Sequence, residues 1–357
     1  MNGFVFNLSG GETVEESKKL MQVVRPFLQQ HLLGLVKMFY ETSENDIVLD
    51  ANGQVIWLDS KVGYLEKGFD ILAPKVKLIK SDELEKSEIE KIQRKLDIFI
   101  ANKIKTFMPN LLNLRNDREF TGAASGLLHI FYNNLGVVMK SEVLEQYKDI
   151  DNGIKAKLKK SGIRFGYKTI YDATLLKPEA SKVRICLFNA FHNATEKKVL
   201  KPPPGLVTIE YDNHISKQQY LVAGFFVAGR RAIRIDMLER LYFLIKEHSM
   251  DEWMAIQPTM LSITGLGVED FTALIKSLRF EIKYEKFTKG DEVITIEKED
   301  GLYKVMFKKQ SRNKSVKKLK SGGTFKKGSR PRENNKTKNK TVISDSPFSS
   351  LKVLLKN

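Results

Sequence analysis

The side chains most often used in catalysis are few and scattered in this sequence. The five histidines include no pair at i,i+4 spacing, and with one cysteine they give no recognisable zinc-ligand pattern. That cysteine, Cys186, lies in the apolar run Ile185–Phe188 of a predicted helix, which is typical of a buried small residue rather than a nucleophile. These patterns indicate no catalytic residues, no metal site and no cofactor.

Two further patterns resemble chemistry only superficially. The string GTFKKGS at 323–329 lacks the Lys that a phosphate-binding loop requires after Gly328, and no predicted strand precedes it. Asp236 and Glu239 could form a carboxylate pair, but a helix cap followed by an acid in the first turn is the stronger interpretation. Neither pattern predicts catalysis.

The strongest chemical pattern is a basic segment near the C-terminus. Residues 304–340 contain 15 Lys or Arg and one acid, Glu333, whereas the net charge of the whole chain is +17. Such a segment predicts contact with a polyanion, above all nucleic acid, because each phosphate that is neutralised releases counterions. A solubilising extension without a partner is the alternative. The predicted contacts are Lys308, Lys309, Arg312, Lys314, Lys317, Lys318, Lys320, Lys326, Lys327, Arg330 and Arg332.

Smaller basic spots precede this segment. Arg164 and Lys168 lie on or beside a predicted strand, and Arg230 and Arg231 form a turn that is followed by Arg234. We include them as candidate nucleic-acid contacts, although such residues are often only solvated turns.

The elements that must position these residues predict an α+β fold: a mostly helical body with small β units and a disordered basic tail. Helices are expected at about 12–40 and 82–107, and an Asn52-Gly53 hairpin lies between them. The link KPPPG at 201–205 is the clearest boundary. The predicted regions are an N-terminal helix at 1–45, a β unit at 46–80, a helical domain at 81–200, an α+β unit at 206–307, the tail at 308–341 and an apolar motif at 342–357.

The 236–307 region predicts a winged-helix-like unit. Helices from Asp236, at 251–261 and at 268–279 precede a hairpin. The last helix offers only Lys276 and Arg279 as cations, so a packing or protein-contact role is favoured over reading a DNA groove.

One stretch resembles a known family. GIRFGYKTIYDATLLKPEASKVRICLF at 162–188 is similar to a segment after the motor in bacterial superfamily-two RNA helicases that resemble the mitochondrial degradosome helicase of the Suv-three type. DSKVGYLEKGFDI, YLVAGFFVAGRRAIRIDMLERL and LSITGLGVEDFTALIKSLRF resemble further segments of that family in the same order. The resemblance covers about residues 45–357 and adds Lys177, in the Leu-Leu-Lys-Pro unit, to the candidate RNA contacts.

The chain departs from that family because no phosphate loop, acidic metal-binding box or arginine finger occurs. The resemblance therefore implies a non-catalytic accessory region of a helicase-type RNA-processing system that binds RNA. Two alternatives stay open: a fragment of an ATP-dependent RNA helicase whose motor is missing here, and an adaptor that docks on a helicase motor subunit or a ribosome-associated factor.

The C-terminal motif favours the adaptor. Phe348, Leu351, Leu354 and Leu355 could dock on a partner or on the body of the chain as a short amphipathic helix, although a frayed end is the alternative. The sequence shows no signal peptide and no membrane span, and its single cysteine suits a reducing compartment, so we expect a cytoplasmic protein.

Overall fold

The computed structural model describes residue 4 and residues 14–80, 84–116, 119–192, 198–248, 250, 252–286, 294–298 and 301–310. Helices and small antiparallel sheets alternate along this part of the chain, which confirms the predicted α+β class. Residues Met1–Ser311 form one compact unit. The tail predicted at 308–341 starts too early, because Lys308 and Lys309 belong to the strand Gly301–Lys309 and pair with the neighbouring strand. The rest of that tail from residue 311 and the motif at 342–357 lie outside the described residues.

The first part of the unit is a four-stranded meander packed against two long helices. The Asn52-Gly53 turn joins its first two strands, and the φ of +78° at Gly53 is the left-handed conformation that glycine adopts readily. Phe4, Phe39 and Trp57 form an aromatic cluster in the adjoining core. The elements are α1 (Val14–Glu41), β1 (Ile47–Leu49), β2 (Gln54–Trp57), β3 (Ser60–Asp70), β4 (Ala73–Leu78) and α2 (Lys86–Phe107).

The middle part is helical and contains a three-stranded antiparallel sheet of order β5-β7-β6. Pro178 occupies the first turn of helix α7, and the preceding Lys177 is extended (φ −65°, ψ 143°), as expected before proline. The elements are α3 (Pro109–Asn116), α4 (Gly122–Asn133), β5 (Val137–Met139), α5 (Leu144–Asp149), α6 (Asn152–Lys160), β6 (Ile163–Phe165), β7 (Thr169–Asp172), a 3₁₀ turn (Ala173–Leu176) and α7 (Pro178–Phe191).

The last part contains two more antiparallel sheets and the helices between them. The sheet of order β8-β10-β9 precedes α9, and the sheet of order β11-β14-β12 follows α11, with β13 paired to β14. The elements are β8 (Thr208–Glu210), α8 (Lys217–Val222), β9 (Phe225–Ala228), β10 (Arg231–Arg234), α9 (Ile235–Glu247), β11 (Met254–Ala255), α10 (Pro258–Thr264), α11 (Val268–Ser277), β12 (Phe280–Lys286), β13 (Thr295–Lys298) and β14 (Gly301–Lys309).

The 236–307 region has the predicted order of helices followed by paired strands, with one correction. The helix predicted at 251–261 is wrong, because residues 254–255 form strand β11 and helix α10 begins only at Pro258. Proline favours the first helical position and keeps the residue before it extended, so the helix cannot extend back to 251. Gly265 ends α10 in the left-handed conformation (φ +65°).

Apolar contacts cross the Lys201–Gly205 link. Ile185 and Leu200 pack with Ile209 and Phe225 in one buried cluster. A second cluster joins Tyr171 of β7 to elements after the link. These contacts hold the β6–β7 turn and helix α9 side by side within one compact unit. None of the helices described is long and apolar enough to cross a membrane.

Candidate nucleic-acid interface

A groove of about 520 Å³ lies between the β5–β7–β6 sheet and helix α9. Its lining is mainly basic and aromatic, and we call it the basic groove. The lining residues are Lys140, Tyr147, Lys159, Arg164, Phe165, Gly166, Tyr167, Tyr171, Glu239, Tyr242, Phe243 and Lys246.

The one carboxylate of the basic groove, Glu239, fixes the turn between β6 and β7. It accepts hydrogen bonds from the backbone N–H groups of Tyr167, Lys168 (3.0 Å) and Thr169 (2.8 Å) and from the Thr169 hydroxyl (2.8 Å). A Cβ atom at Gly166 would lie 2.2 Å from the Glu239 carboxyl carbon, so glycine is required for this close approach. Glu239 therefore organises the groove.

Aromatic rings form the floor and rim of the basic groove. Tyr167 stacks on Tyr242 with ring centroids 4.6 Å apart and an interplanar angle of 21°. Tyr242 is buried, whereas Phe243 is 61% exposed at the rim. Tyr167 is also exposed, at 38%. An exposed ring beside cations is suited to stacking on a nucleic-acid base.

A fourth ring, that of Tyr147, lies close to two cations. The ammonium groups of Lys140 and Lys155 lie 4.1 and 4.4 Å from the centroid of the Tyr147 ring. Lys140 also donates to the Gly166 carbonyl at 3.2 Å. These contacts position positive charge along the wall formed by α5, α6 and the β6–β7 turn.

Burial changes the ionisation of several groups here. Burial lowers the pKa of Lys168, and the positive charges of Arg279 and Lys309 lower it further, against the opposing effects of Tyr167 and Glu239. Burial raises the pKa of Tyr171 to about 12, and it also raises the pKa of Tyr242. Both tyrosines therefore remain neutral hydrogen-bonding groups at physiological pH.

The structure brings some of the sequence-predicted contacts to the basic groove. Arg164 lines it and is exposed. Lys168 places its ammonium 5.5 Å from the Tyr242 ring centroid, and Lys309 lies 5.6 Å from that of Tyr167. Lys308 instead lies 4.8 Å from the Trp253 ring centroid and pairs with Glu281 at 3.7 Å.

Other predicted contacts lie outside the lining of the groove. Arg231 pairs with Asp270 at 2.7 Å, and Arg234 donates to both carboxylate oxygens of Asp236 at 2.7 and 3.0 Å. Arg230 is exposed in the β9–β10 turn.

Lys177 is exposed at the start of α7. The remaining predicted residues lie outside the described part of the chain: Arg312, Lys314, Lys317, Lys318, Lys320, Lys326, Lys327, Arg330, Arg332, Phe348, Leu351, Leu354 and Leu355.

Sequence reasoning missed most of the groove lining. The cations Lys155 and Lys159 fall in the Lys-rich stretch of α6, which was a usable signal beside Arg164. Lys140 and Lys246 carried no such signal, because each is a single lysine in a mixed segment. Glu239 was expected to complement the helix dipole, whereas its side chain caps a turn that lies about 70 residues earlier in the chain.

Two further features concern metal ligands and the single cysteine. The described residues contain no group of three or more His, Cys, Asp or Glu side chains that could hold a metal ion. Burial raises the pKa of Cys186 to about 12, and its thiol donates to the Asp50 carbonyl at 3.0 Å, so it is protonated and unreactive.

Comparison with known proteins assigns no family and no function to this chain. No protein-family model, no curated protein and no solved structure matches this chain.

Proposed function

We propose that this chain binds RNA as a non-catalytic accessory component of a helicase-type RNA-processing system. The observation that carries the proposal is the basic groove, where exposed cations and exposed aromatic rings share one lining and the carboxylate is engaged by four donors. Phosphates would contact the cations, and bases would stack on the rings.

The size and exposure of the groove support a single strand. A volume of about 520 Å³ can hold nucleotide-sized groups, and Tyr167 and Phe243 are exposed rings in its lining. The bases of a duplex are already stacked on each other, so such rings would gain little from it. Single-stranded RNA is therefore the ligand that we propose.

The basic segment at 304–340 extends the proposal beyond the groove. Its positive charge would attract RNA over a distance of about one Debye length and raise the rate of encounter. In this proposal the groove supplies defined contacts and the segment supplies long-range attraction. The helicase context rests on the sequence resemblance around 162–188.

Fluorescence anisotropy with a labelled 12-nucleotide RNA at increasing salt tests the proposal. Six phosphate contacts give a slope of log affinity against log salt of about −4 for a single strand. A chain lacking 312–340 should retain part of that slope, because the groove cations and strand β14 remain. A slope near zero for the full chain would show that RNA is not its ligand.

The non-catalytic part of the proposal has its own test. The purified chain is incubated with ATP in the presence and absence of RNA, and released phosphate is measured. We expect no hydrolysis above that of a buffer control, because the sequence offers no phosphate-binding loop. RNA-stimulated release of phosphate would contradict this part and leave RNA binding intact.

A further inference from the structure

Three cations from distant parts of the chain lie close to Tyr167 or to its cationic neighbours at the edge of the basic groove. Lys168 belongs to the β6–β7 turn, Arg279 to the junction of α11 and β12, and Lys309 to the end of β14. We call these residues the cation triad. The Lys168 and Lys309 ammonium groups lie 5.9 and 5.6 Å from the centroid of the Tyr167 ring.

The backbone holds Arg279 next to Lys309. The Arg279 carbonyl accepts a hydrogen bond from the N–H of Gln310 at 3.2 Å, and the neighbouring Phe280 pairs with Lys309 across β12 and β14. The φ of Arg279 is +68°, a left-handed conformation that is unfavourable for a residue with a Cβ atom. The fold therefore maintains a strained residue at this position.

The positive charge of the cation triad is not compensated by the described residues. None of the three side chains forms an ion pair with a described carboxylate, in contrast to the neighbouring Lys308, which pairs with Glu281. The nearby Glu239 already accepts four hydrogen bonds. Burial is the main cause that lowers the pKa of Lys168, and the positive charges of Arg279 and Lys309 lower it further. Such an arrangement is favourable when a multiply charged anion binds.

The groove beside the cation triad offers one more unused group. The Tyr242 hydroxyl is buried, and no described residue forms a hydrogen bond with it. The Tyr242 ring lines the groove, and its hydroxyl is an unsatisfied buried polar group next to it.

We propose that the cation triad binds a phosphate monoester, namely the terminal phosphate of a strand whose following nucleotides lie in the basic groove. This inference rests on the proposed RNA binding. A phosphate monoester carries a charge of about −1.5 to −2 and presents three acceptor oxygens, whereas an internal phosphodiester carries about −1. Three converging cations match the monoester better.

The test compares RNA 12-mers of one sequence that end in a 5′-phosphate, a 3′-phosphate or hydroxyls at both ends. Their dissociation constants are measured for the full chain and for the variants Arg279→Gln and Lys309→Gln. Both altered side chains are exposed, so folding should be retained. Lys86→Gln, an exposed cation on α2, controls for the loss of one charge. Free AMP and inorganic phosphate are added as competitors, and their direct binding is measured by calorimetry.

We expect one terminal phosphate to tighten binding by about tenfold, the ratio expected for one added charge-assisted hydrogen bond. Arg279→Gln and Lys309→Gln should remove this preference, and Lys86→Gln should keep it. If free AMP competes as well as the phosphorylated strand does, the triad still binds a phosphate monoester, but its ligand is a free nucleotide.

The remaining outcomes separate this inference from RNA binding. Equal binding of phosphorylated and hydroxyl-ended RNA would overturn the role of the cation triad and leave RNA binding intact. A preference that persists in both variants would overturn the assigned position. If no RNA binds but phosphate or AMP does, and Arg279→Gln abolishes that binding, the triad is supported and RNA binding fails. If neither class binds, both fail.

Discussion

Two sets of cations in this protein have equal formal charge and opposite surroundings. The β10 arginines, Arg231 and Arg234, each contact a carboxylate at 2.7 Å. The groove cations, such as Lys159 and Arg164, are exposed and form no ion pair with a described residue. The β10 arginines are less than one-third exposed, so their charges are also partly withdrawn from solvent.

This difference shows that a cluster of basic residues in a sequence is weak evidence for nucleic-acid binding by itself. An arginine that is already paired with an aspartate loses that pair when it contacts a phosphate, so little free energy is gained. An unpaired cation loses no ion pair when it contacts a phosphate, so the full free energy of that contact is gained and a counterion is released from the nucleic acid. The groove cations are therefore the better candidates.

Loss of the Glu239 carboxylate should have the largest effect. Glu239→Ala leaves three backbone N–H groups of the β6–β7 turn without their acceptor, and we expect a loss of about 3 kcal/mol in the free energy of unfolding. Urea unfolding measures this loss. Glu247→Ala, an exposed acid on the same helix, should change stability by less than about 0.5 kcal/mol. Equal effects of the two variants would contradict the role of Glu239.

The aromatic rings should give the next largest effect. Tyr167→Ala or Phe243→Ala should each weaken binding of a single-stranded 12-mer by about tenfold, because stacking on one base contributes roughly 1–3 kcal/mol. Tyr40→Ala, an exposed aromatic residue on α1, is the matched control and should bind normally. Normal binding by both groove variants would mean that the rings do not contact bases.

A pair of double variants sharpens the comparison directly. Lys159→Gln with Arg164→Gln should reduce the magnitude of the salt slope by about 1.4, which corresponds to two phosphate contacts on a single strand. Arg231→Gln with Arg234→Gln should leave the slope unchanged and lower the free energy of unfolding by about 1 kcal/mol, since partly exposed ion pairs contribute little. If the Arg231/Arg234 double variant reduced the salt slope and the Lys159/Arg164 double variant did not, the β10 arginines would be the RNA contacts in place of the groove cations.

The smallest expected effect is a pH dependence at Lys168. Because its pKa is lowered from 10.5, its charge is present below that lowered pKa and is lost as pH rises through it. RNA affinity should therefore begin to fall below pH 10.5 in the wild type and fall less in Lys168→Arg, which stays charged. Lys246→Arg, in the same groove, is the control: it shows how replacing a lysine by arginine changes the pH dependence of RNA affinity at another position. Parallel pH profiles for wild type and Lys168→Arg would argue against this role.

Local sequence signals predicted much of the fold. The Asn52-Gly53 turn and the long helices α1 and α2 all depend on nearby residues, and the structure has each of them. The one wrong helix, at 251–261, also had a local cause, since Pro258 marked the true start. Patterns among neighbouring residues determine where helices and turns form, because those residues set the local backbone conformation.

The candidate site was predicted only in part. Arg164 and Lys168 were identified because they lie close together on the chain, whereas Lys140, Tyr147 and Lys246 carried no pattern that set them apart. A groove lined from several elements has no signature within any one of them. Its composition depends on which faces pack together.

The sequence by itself determined the α+β class and the concentration of positive charge beyond residue 303, because periodicity and composition are properties of the chain. The tertiary structure decided which cations are neutralised and which converge. Lys168 and Lys309 meet beside Tyr167, while Arg231 meets Asp270. Electrostatic interaction depends on distance in space, and only the packing of remote elements sets that distance.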